Sequence, residues 1–317
     1  MASKNTNLHS AKKAKNDEFY TFMSDINAEL NEYKDFFKGK VVYCNCDDAR
    51  ESNFFKYFSD AFEHLGIKKL ITTGYNENGK GVVLIYEGDK NGNRMVEDSE
   101  IIVRELEGNG DFRSEECIEF LKEADVVVTN PPFSLFREYV AQLMEYGKKF
   151  LVIGPMNAVT YKEIFPYIKN NELWLGENLK KGGTRKGNSL SFITPDGVTK
   201  DVSAWWFTNI ECKRKNTLLE TGCRYSIEDY PKYDNYDAIE CAKSKLIPMD
   251  YNGVMGVPIS FLMFHCPTQF EIVDINPHFY TLVEQGLPKP KQLSLASYGK
   301  KDPYARIFIR KRLFSAN

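Results

Sequence analysis

Apolar positions recur at helical spacing from Asp17 to Phe37, through Phe19, Phe22, Met23, Ile26, Leu30, Tyr33 and Phe37. That period predicts an amphipathic helix, ended by Gly39. Lys40–Cys44 reads as a short strand. Glu51–Leu65 reads as a second helix, with Phe54, Phe55, Phe58, Phe62 and Leu65 on one side and Gly66 as its stop. Lys68–Thr72 is the second strand. Gly81–Tyr86 and Ile101–Leu106 flank the polar turn Asp89-Lys90-Asn91-Gly92-Asn93, which predicts a hairpin inserted into the sheet. Ser114–Glu123 reads as a helix with an acidic first turn. Asp125–Thr129 reads as a buried parallel strand, Phe133–Tyr146 as a helix and Phe150–Ile153 as the next strand. Strands and helices in this rhythm imply an α/β sheet with helices on both faces. Tyr161–Ile168 is a short helix kinked or broken near Pro166. Ser189–Thr194 and Ala204–Ile210 are expected to pair across Pro195-Asp196-Gly197 as an antiparallel hairpin. From about Lys213 the pattern weakens. Asp229–Tyr236 is too rich in Tyr, Asp, Asn and Pro to be regular, and Val257–Phe264 and Ala305–Arg310 are the late strands. The chain therefore divides into 1–213 and 214–317, the latter a C-terminal antiparallel extension of the sheet or a small module.

Composition narrows the class without naming a task. The 317 residues are 42% hydrophobic and 27% charged, as in an ordinary folded protein. No apolar run approaches the ~20 residues of a membrane span. Met1–Asp17 lacks an apolar signal core, so a cytoplasmic protein is expected. The seven cysteines are scattered and odd in number, which fits free thiols. Cys44-Asn45-Cys46 has no second close pair, so no metal is expected. The net charge of −2 hides two basic stretches, Lys180–Lys186 and Arg310-Lys311-Arg312. The first, rich in glycine, suits an exposed loop able to track phosphates or a plain solvated connection.

Candidate chemistry collects at strand ends, where open α/β sheets bind ligands. The first strand runs into Asn45-Cys46-Asp47-Asp48 with no G-x-G-x-x-G. Carboxylates there suit a cationic ligand, or they cap the following helix. Gly108-Asn109-Gly110-Asp111-Phe112 offers a carboxylate for an exocyclic amine and a ring to cover a flat group. The most specific feature is Asn130-Pro131-Pro132-Phe133, directly after the strand ending at Thr129. An adenine or cytosine amino group is a poor nucleophile, because its lone pair is delocalised into the ring. The Asn130 side-chain oxygen and the Pro131 carbonyl can accept its two N–H bonds and favour a tetrahedral nitrogen. Phe133, expected as an exposed ring, would stack on the base, an interaction worth about 1–3 kcal/mol. The matching electrophile is the sulfonium methyl of S-adenosylmethionine, with the rate supplied by alignment and electrostatics. The motif alone fits a DNA base, an RNA base or a protein glutamine amide. A catalytically idle DNA-binding protein is a further alternative that the intact motif disfavours.

These residues resemble the N6-adenine DNA methyltransferases, specifically the restriction–modification enzymes of the EcoRI kind. The resemblance rests on Tyr43–Asp48, Thr129–Tyr139, Tyr161–Phe165 and Pro248–Pro258, and it runs from about Asp17 to Arg312. It implies a Rossmann-like S-adenosylmethionine-dependent methyltransferase sheet. It also implies Asn130, Pro131, Pro132 and Phe133 as the catalytic and target-base motif. Phe19, Tyr20 and Thr21 would approach the methionine part of the cofactor. Cys46, Asp47 and Asp48 stand where the glycine-rich cofactor loop would be, and Asp111 and Phe112 near the cofactor's adenine. The acidic residue expected after the second strand for the ribose is replaced by Thr73-Gly74-Tyr75-Asn76. The implied partner is double-stranded DNA with the target base flipped out, at a cost of a few kcal/mol. Catalysis would belong to 1–213, and target recognition to the Lys180–Lys186 loop and to 214–317. A monomer is expected, with no stable complex to any restriction endonuclease acting on the same site.

Overall fold

A computed structural model describes residues 20–46, 48–49, 51–178, 190–193, 199–300 and 304–312. The chain forms two compact units, Met1–Ala158 with Gly176–Ile210, and Val159–Leu175 with Glu211–Asn317.

The first unit holds β1 (Tyr20–Thr21), β2 (Val41–Cys44), β3 (Lys69–Gly74), β4 (Val82–Tyr86), β5 (Ile101–Glu105), β6 (Val126–Thr129) and β7 (Lys149–Pro155). After β8 (Trp174–Leu175), which falls in the second unit, come β9 (Leu190–Ile193), β10 (Thr199–Val202) and β11 (Ala204–Thr208). In the main sheet these strands run in the order β5-β4-β3-β2-β6-β7-β11. Its centre, β3-β2-β6-β7, is parallel. The hairpin β4–β5 extends one flank antiparallel, and β11 adds antiparallel to β7. Every residue of β2 and β6 is buried, which is why Val-Val-Tyr-Cys and Val-Val-Val-Thr read as unbroken apolar runs.

Among the described residues, five helices accompany the sheet: α1 (Met23–Leu30), α2 (Asn53–Asp60), α3 (Phe62–Leu65), α4 (Glu115–Glu123) and α5 (Phe136–Glu145). Ile26, Leu30, Phe54 and Phe58 join one core with Val42, Cys44 and Leu70. Tyr43 points to the opposite face, towards Phe120 of α4. Ser52 caps α2 by accepting from the Phe54 amide, and Ser114 caps α4 by accepting from the Cys117 amide. Gly66, at φ 62°, takes the left-handed turn that ends α3.

Several expectations need correcting. The Asp17–Phe37 helix is shorter: Tyr20 and Thr21 pair with β9, Phe22 is extended, and the α-helix starts at Met23. It gives way to a 3-10 segment over Asn31–Phe37 with a break at Tyr33. Strand pairing with a distant segment overrides the helical period there. Glu51–Leu65 is two helices, broken at Ala61. After Pro131-Pro132 the chain makes a 3-10 turn before α5 begins at Phe136. The hairpin partner of β9 is β10, which the apolar pattern missed because Thr-Lys-Asp-Val is polar; Ala204–Thr208 joins the main sheet instead. Pro195–Gly197 lies outside the described residues.

The second unit carries a four-stranded sheet in the order β12-β13-β15-β14, from β12 (Ile239–Glu240), β13 (Val254–Pro258), β14 (Phe270–Ile275) and β15 (Arg306–Lys311). The expected strand Val257–Phe264 ends at Pro258, and Ile259–Met263 winds into a 3-10 turn that buries Phe261. Its two short helices are α6 (Phe165–Lys169) and α7 (Tyr280–Glu284). Pro166 initiates α6 rather than kinking it, since its missing N–H is one that a first turn leaves unbonded. Tyr233, Ala238, Phe279, Leu293, Leu295 and Phe308 make a core of their own. Beside them Arg306 donates to both carboxylate oxygens of Glu240, and the Tyr233 hydroxyl donates to the same carboxylate; all three residues are buried.

His265 in this unit is buried against Phe261 and Trp174, and its Nε2 meets Asn171 Oδ1 at 3.1 Å. Burial, with Arg312 adding repulsion, pushes its pKa down to about 4. The unfolded chain takes up this proton near pH 6.5, whereas the folded unit refuses it until about pH 4. The contribution to stability is complete above about pH 6.5 and declines by about 3 kcal/mol as pH falls through about 4. The midpoint of urea unfolding should therefore drop between pH 7 and 4 in the native chain and drop less in His265→Phe. Parallel pH profiles would exclude His265 as the source.

Candidate functional site

Asn130 stands at the C-terminal end of β6, in the middle of the parallel strands, and is 8% exposed. The turn it opens is tied to the neighbouring end of β2. The Thr129 hydroxyl donates to the Asn45 carbonyl, and the Tyr139 hydroxyl of α5 donates to Asn45 Oδ1. Tyr139 is fully buried, and burial holds its phenol well above the ordinary tyrosine range, so it remains a neutral donor. Cys46, next along, adopts φ 68°. Asn45 and Tyr139 thus lock two strand-end loops together.

The small sheet β1-β9-β10 closes this arrangement. Thr21 pairs with Phe192, whose ring lies edge-on to Phe133 with centroids 6.4 Å apart. Phe133 is only 8% exposed, so the ring expected to be open is covered. On the other side, Asn53 Nδ2 at the start of α2 donates to the Thr21 carbonyl at 2.7 Å. The structure therefore links Asn130–Phe133, Phe192, Thr21 and the loop after β2. Tyr20 enters as the strand partner of Ile193. Phe19, Asp47 and the Lys180–Lys186 loop lie outside the described residues.

Asp48 borders a cavity of about 530 Å³ with Ala49, the turn Gly74–Asn76 after β3, Lys80–Val82 leading into β4, and Val103 and Glu105 of β5. Asp48 Oδ1 also accepts from the Glu51 amide at 3.0 Å, so it caps the chain ahead of α2 as well. Asp111 and Phe112 are not in this wall. The Arg113 guanidinium grips the Asp111 carboxylate at 2.6 and 2.9 Å and holds its pKa below the usual value. Phe112 packs edge-on to Tyr139, with centroids 5.0 Å apart. Phe112 thus adjoins the Asn45–Tyr139 lock. Sequence reasoning missed that lock and the cavity's hairpin wall. Tyr139 lay inside the motif quoted for the resemblance, but only the fold turns its hydroxyl towards Asn45.

The donor set fits a cationic adenosyl ligand. Two carboxylates, Asp48 and Glu105, line the cavity. Thr21 Oγ1, outside that wall, is buried, with the residue 1% exposed, and has no hydrogen-bond partner among the described residues. A buried hydroxyl in that state is a place for a ligand's polar group. The cavity floor also depends on a close backbone approach. A Cβ on Gly110, whose φ is +82°, would sit 2.3 Å from the Gly74 carbonyl oxygen. Gly110→Ala should lose about 1–3 kcal/mol of stability through strain at that φ and the forced shift of Gly74. Chemical denaturation measures the loss, and an unchanged midpoint would show that the hairpin relaxes freely.

A parallel-centred sheet flanked by helices, with a cavity at its strand ends, makes the class an α/β fold of the Rossmann-like kind that methyltransferases use. A family described as "Adenine-specific methyltransferase EcoRI" matches residues 7–312. Type II methyltransferase M.EcoRI of Escherichia coli is 45% identical over 341 residues, covering 98% of this chain and 99% of that protein. Type II methyltransferase M.MgeORF184P of Mycoplasma genitalium and M.MpnI of Mycoplasma pneumoniae are each 40% identical over 319 residues and 95% of this chain, covering 98% and 97% of their own lengths. The chain belongs to the EcoRI family of adenine-specific DNA methyltransferases, which use S-adenosylmethionine as methyl donor. Among the described residues no helix is long and apolar enough to cross a membrane.

Proposed function

We propose that the protein methylates adenine N6 within a specific double-stranded DNA sequence and so protects that sequence from a restriction endonuclease. The observation that carries this reading is the family match over nearly the whole chain, with Asn130-Pro131-Pro132-Phe133 at the end of a central parallel strand.

S-adenosylmethionine supplies an electrophilic methyl group on a positively charged sulfur. The chain's own residues supply position and polarity. The Asn130 side-chain oxygen and the Pro131 carbonyl accept the two N–H bonds of the adenine amine, drawing its lone pair out of the ring. Pro131 and Pro132 fix the turn, because each ring locks φ. The Asn45–Tyr139 lock keeps that turn in register with the cofactor side. Phe133 borders the flipped base and excludes water from it. Thr21 and Cys46–Asp48 hold the methionine end, where carboxylates favour the sulfonium and ammonium charges. Asp111 and Phe112 support the adenine side, with Asp111 acting through Arg113.

The part after about residue 213 is proposed as the target-recognition module. Charge supports this. The second unit carries seventeen Lys and Arg against fourteen Asp and Glu, whereas the first carries twenty-five against thirty. A positive excess favours the polyanionic duplex. A monomer in the cytoplasm, sharing a site but no stable complex with its nuclease, completes the proposal.

The test is transfer of a labelled methyl group to duplex DNA, single-stranded RNA and protein in parallel, with the modified position mapped. Label on adenine N6 of duplex DNA at one recurring sequence is the expected result. Label confined to RNA, or to glutamine in protein, would overturn it.

A further inference from the structure

The basic run Arg310-Lys311-Arg312 is engaged by the second unit itself. Arg310 Nε meets Glu271 Oε1 at 2.6 Å, the Lys311 ammonium donates to the Met249 carbonyl, and Arg312 Nε donates to the Pro267 carbonyl at 2.8 Å. A different stretch of the same unit is open. From Gln285 to Lys300 the chain carries Lys289, Lys291 and Lys300 and no Asp or Glu. Its regular structure is a 3-10 turn at Ala296–Tyr298, and its buried residues are Leu293 and Leu295, which join the unit's own core. Lys291 and Lys300 have no ion pair among the described residues. Lys289 Nζ donates to the His278 carbonyl at 3.1 Å. The stretch is nonetheless held firmly. The Asp234 amide donates to the Ser294 carbonyl at 2.9 Å, and the Asp234 carboxylate accepts from the Ser294 hydroxyl at 2.6 Å. Asn235 donates to the Gln292 carbonyl at 2.7 Å and accepts from the Ser294 amide at 3.0 Å. Tyr298 is 43% exposed, and Tyr304, which follows shortly along the chain, is 90% exposed. Arg306 Nη1 donates to the Tyr304 carbonyl at 3.3 Å while its Nε and Nη2 grip Glu240. The most open ring of the unit thus stands on backbone tied to the buried ion pair.

We propose that Gln285–Lys300, together with Tyr304, is the surface by which the second unit grips the sugar–phosphate backbone of double-stranded DNA. This rests on the proposed role of that unit in target recognition. Lysines without acidic neighbours in the chain are the groups that release counterions from a duplex when they meet its phosphates. Exposed tyrosines add a hydroxyl for a phosphate oxygen and a ring to lie against a sugar. A merely solvated lysine loop has no need of this anchoring. Ordering a loop costs conformational entropy, and here two buried leucines and the side chains of Asp234 and Asn235 offset that cost. The irregular segment Asp229–Tyr236 thereby gains a task, because its Asp234 and Asn235 hold the basic stretch in place. Duplex DNA is the polyanion on which the family acts. Backbone contacts fix the position of a duplex but carry no sequence information, so the bases are read by other residues.

Fluorescence anisotropy of a labelled mixed-sequence DNA duplex, titrated at several salt concentrations with S-adenosylhomocysteine present, tests this without any turnover. Lys291→Gln combined with Lys300→Gln should weaken binding by about ten-fold or more at low salt. The slope of log affinity against log salt should shrink by about two, one for each lost phosphate contact. Tyr304→Ala should weaken binding several-fold with the slope unchanged, because the ring carries no charge. Lys122→Gln, at an exposed position of α4 in the first unit, should alter neither quantity. Thermal unfolding and calorimetric binding of S-adenosylhomocysteine should match the native chain in every variant. An unchanged slope in the double lysine variant, or an equal loss per charge in Lys122→Gln, overturns the surface. Full affinity in Tyr304→Ala removes that residue from it. A native chain that binds single-stranded RNA but no duplex DNA would instead overturn the reading of the protein as a DNA-modifying enzyme.

Discussion

Asn130→Ala should lower methyl transfer to duplex DNA by about 10³-fold or more while leaving binding of S-adenosylhomocysteine within a few-fold of native. The magnitude follows from what the residue is asked to do. The adenine amine has no strong base to help it, so its nucleophilicity depends on acceptors placed at its two N–H bonds. Removing one leaves the nitrogen planar and its lone pair in the ring. About 10³-fold corresponds to about 4 kcal/mol, a reasonable worth for a preorganised polar partner in a water-poor site. Asn130 has no place in the cavity bordered by Asp48 and Glu105, so cofactor affinity should barely change. Asn130→Asp keeps an acceptor and should recover part of the loss. Single-turnover rates with labelled cofactor, beside calorimetric binding, separate the outcomes. Transfer undiminished in Asn130→Ala, or a defect confined to cofactor binding, would remove Asn130 from the chemistry.

Arg306→Met should be the most destabilising single change in the second unit, by about 3–5 kcal/mol. Its guanidinium sits 2.7–3.1 Å from both oxygens of Glu240, which pairs across the sheet with Gly256. A Cβ on Gly256 would lie 2.4 Å from the Tyr233 hydroxyl, so that glycine leaves room for the tyrosine to reach Glu240. Burial and the adjacent carboxylate raise the Tyr233 phenol far above its ordinary range, so it can serve only as a neutral donor. Without Arg306 the Glu240 charge stays buried with one hydroxyl for company. Adding Glu240→Leu to Arg306→Met should return most of the lost stability, because the cost lies in the unpaired charge rather than in the missing pair. Urea unfolding of the two variants decides this, and equal stability of single and double variants would rule it out. DNA affinity should fall with the single variant while cofactor affinity in the first unit persists.

What could be read in the sequence has a physical pattern. The parallel centre was legible because β2 and β6 are buried on both faces and carry no polar interruption before their ends. The Asn130 turn was legible because two prolines and an amide at a strand end have few other uses. The sheet β1-β9-β10 was not legible: β1 is two residues long and sits within an apolar helical period, and β10 is polar. The burial of Phe133 was missed for the same reason, since Phe192 covers it from that sheet. Pro258 marks the end of β13 in the sequence, but the apolar residues on both sides of it mimic one continuous strand.

The pairing of Thr21 with Phe192 also orders events during synthesis. Thr21 leaves the ribosome early, yet its strand partner follows only after the parallel centre of the sheet has been made. Such long-range pairing carries a loop-closure cost that local helices avoid. The nascent chain can therefore assemble β2, β3, β6 and β7 while the segment bearing Thr21 is still waiting, and the small sheet that covers Phe133 is finished last.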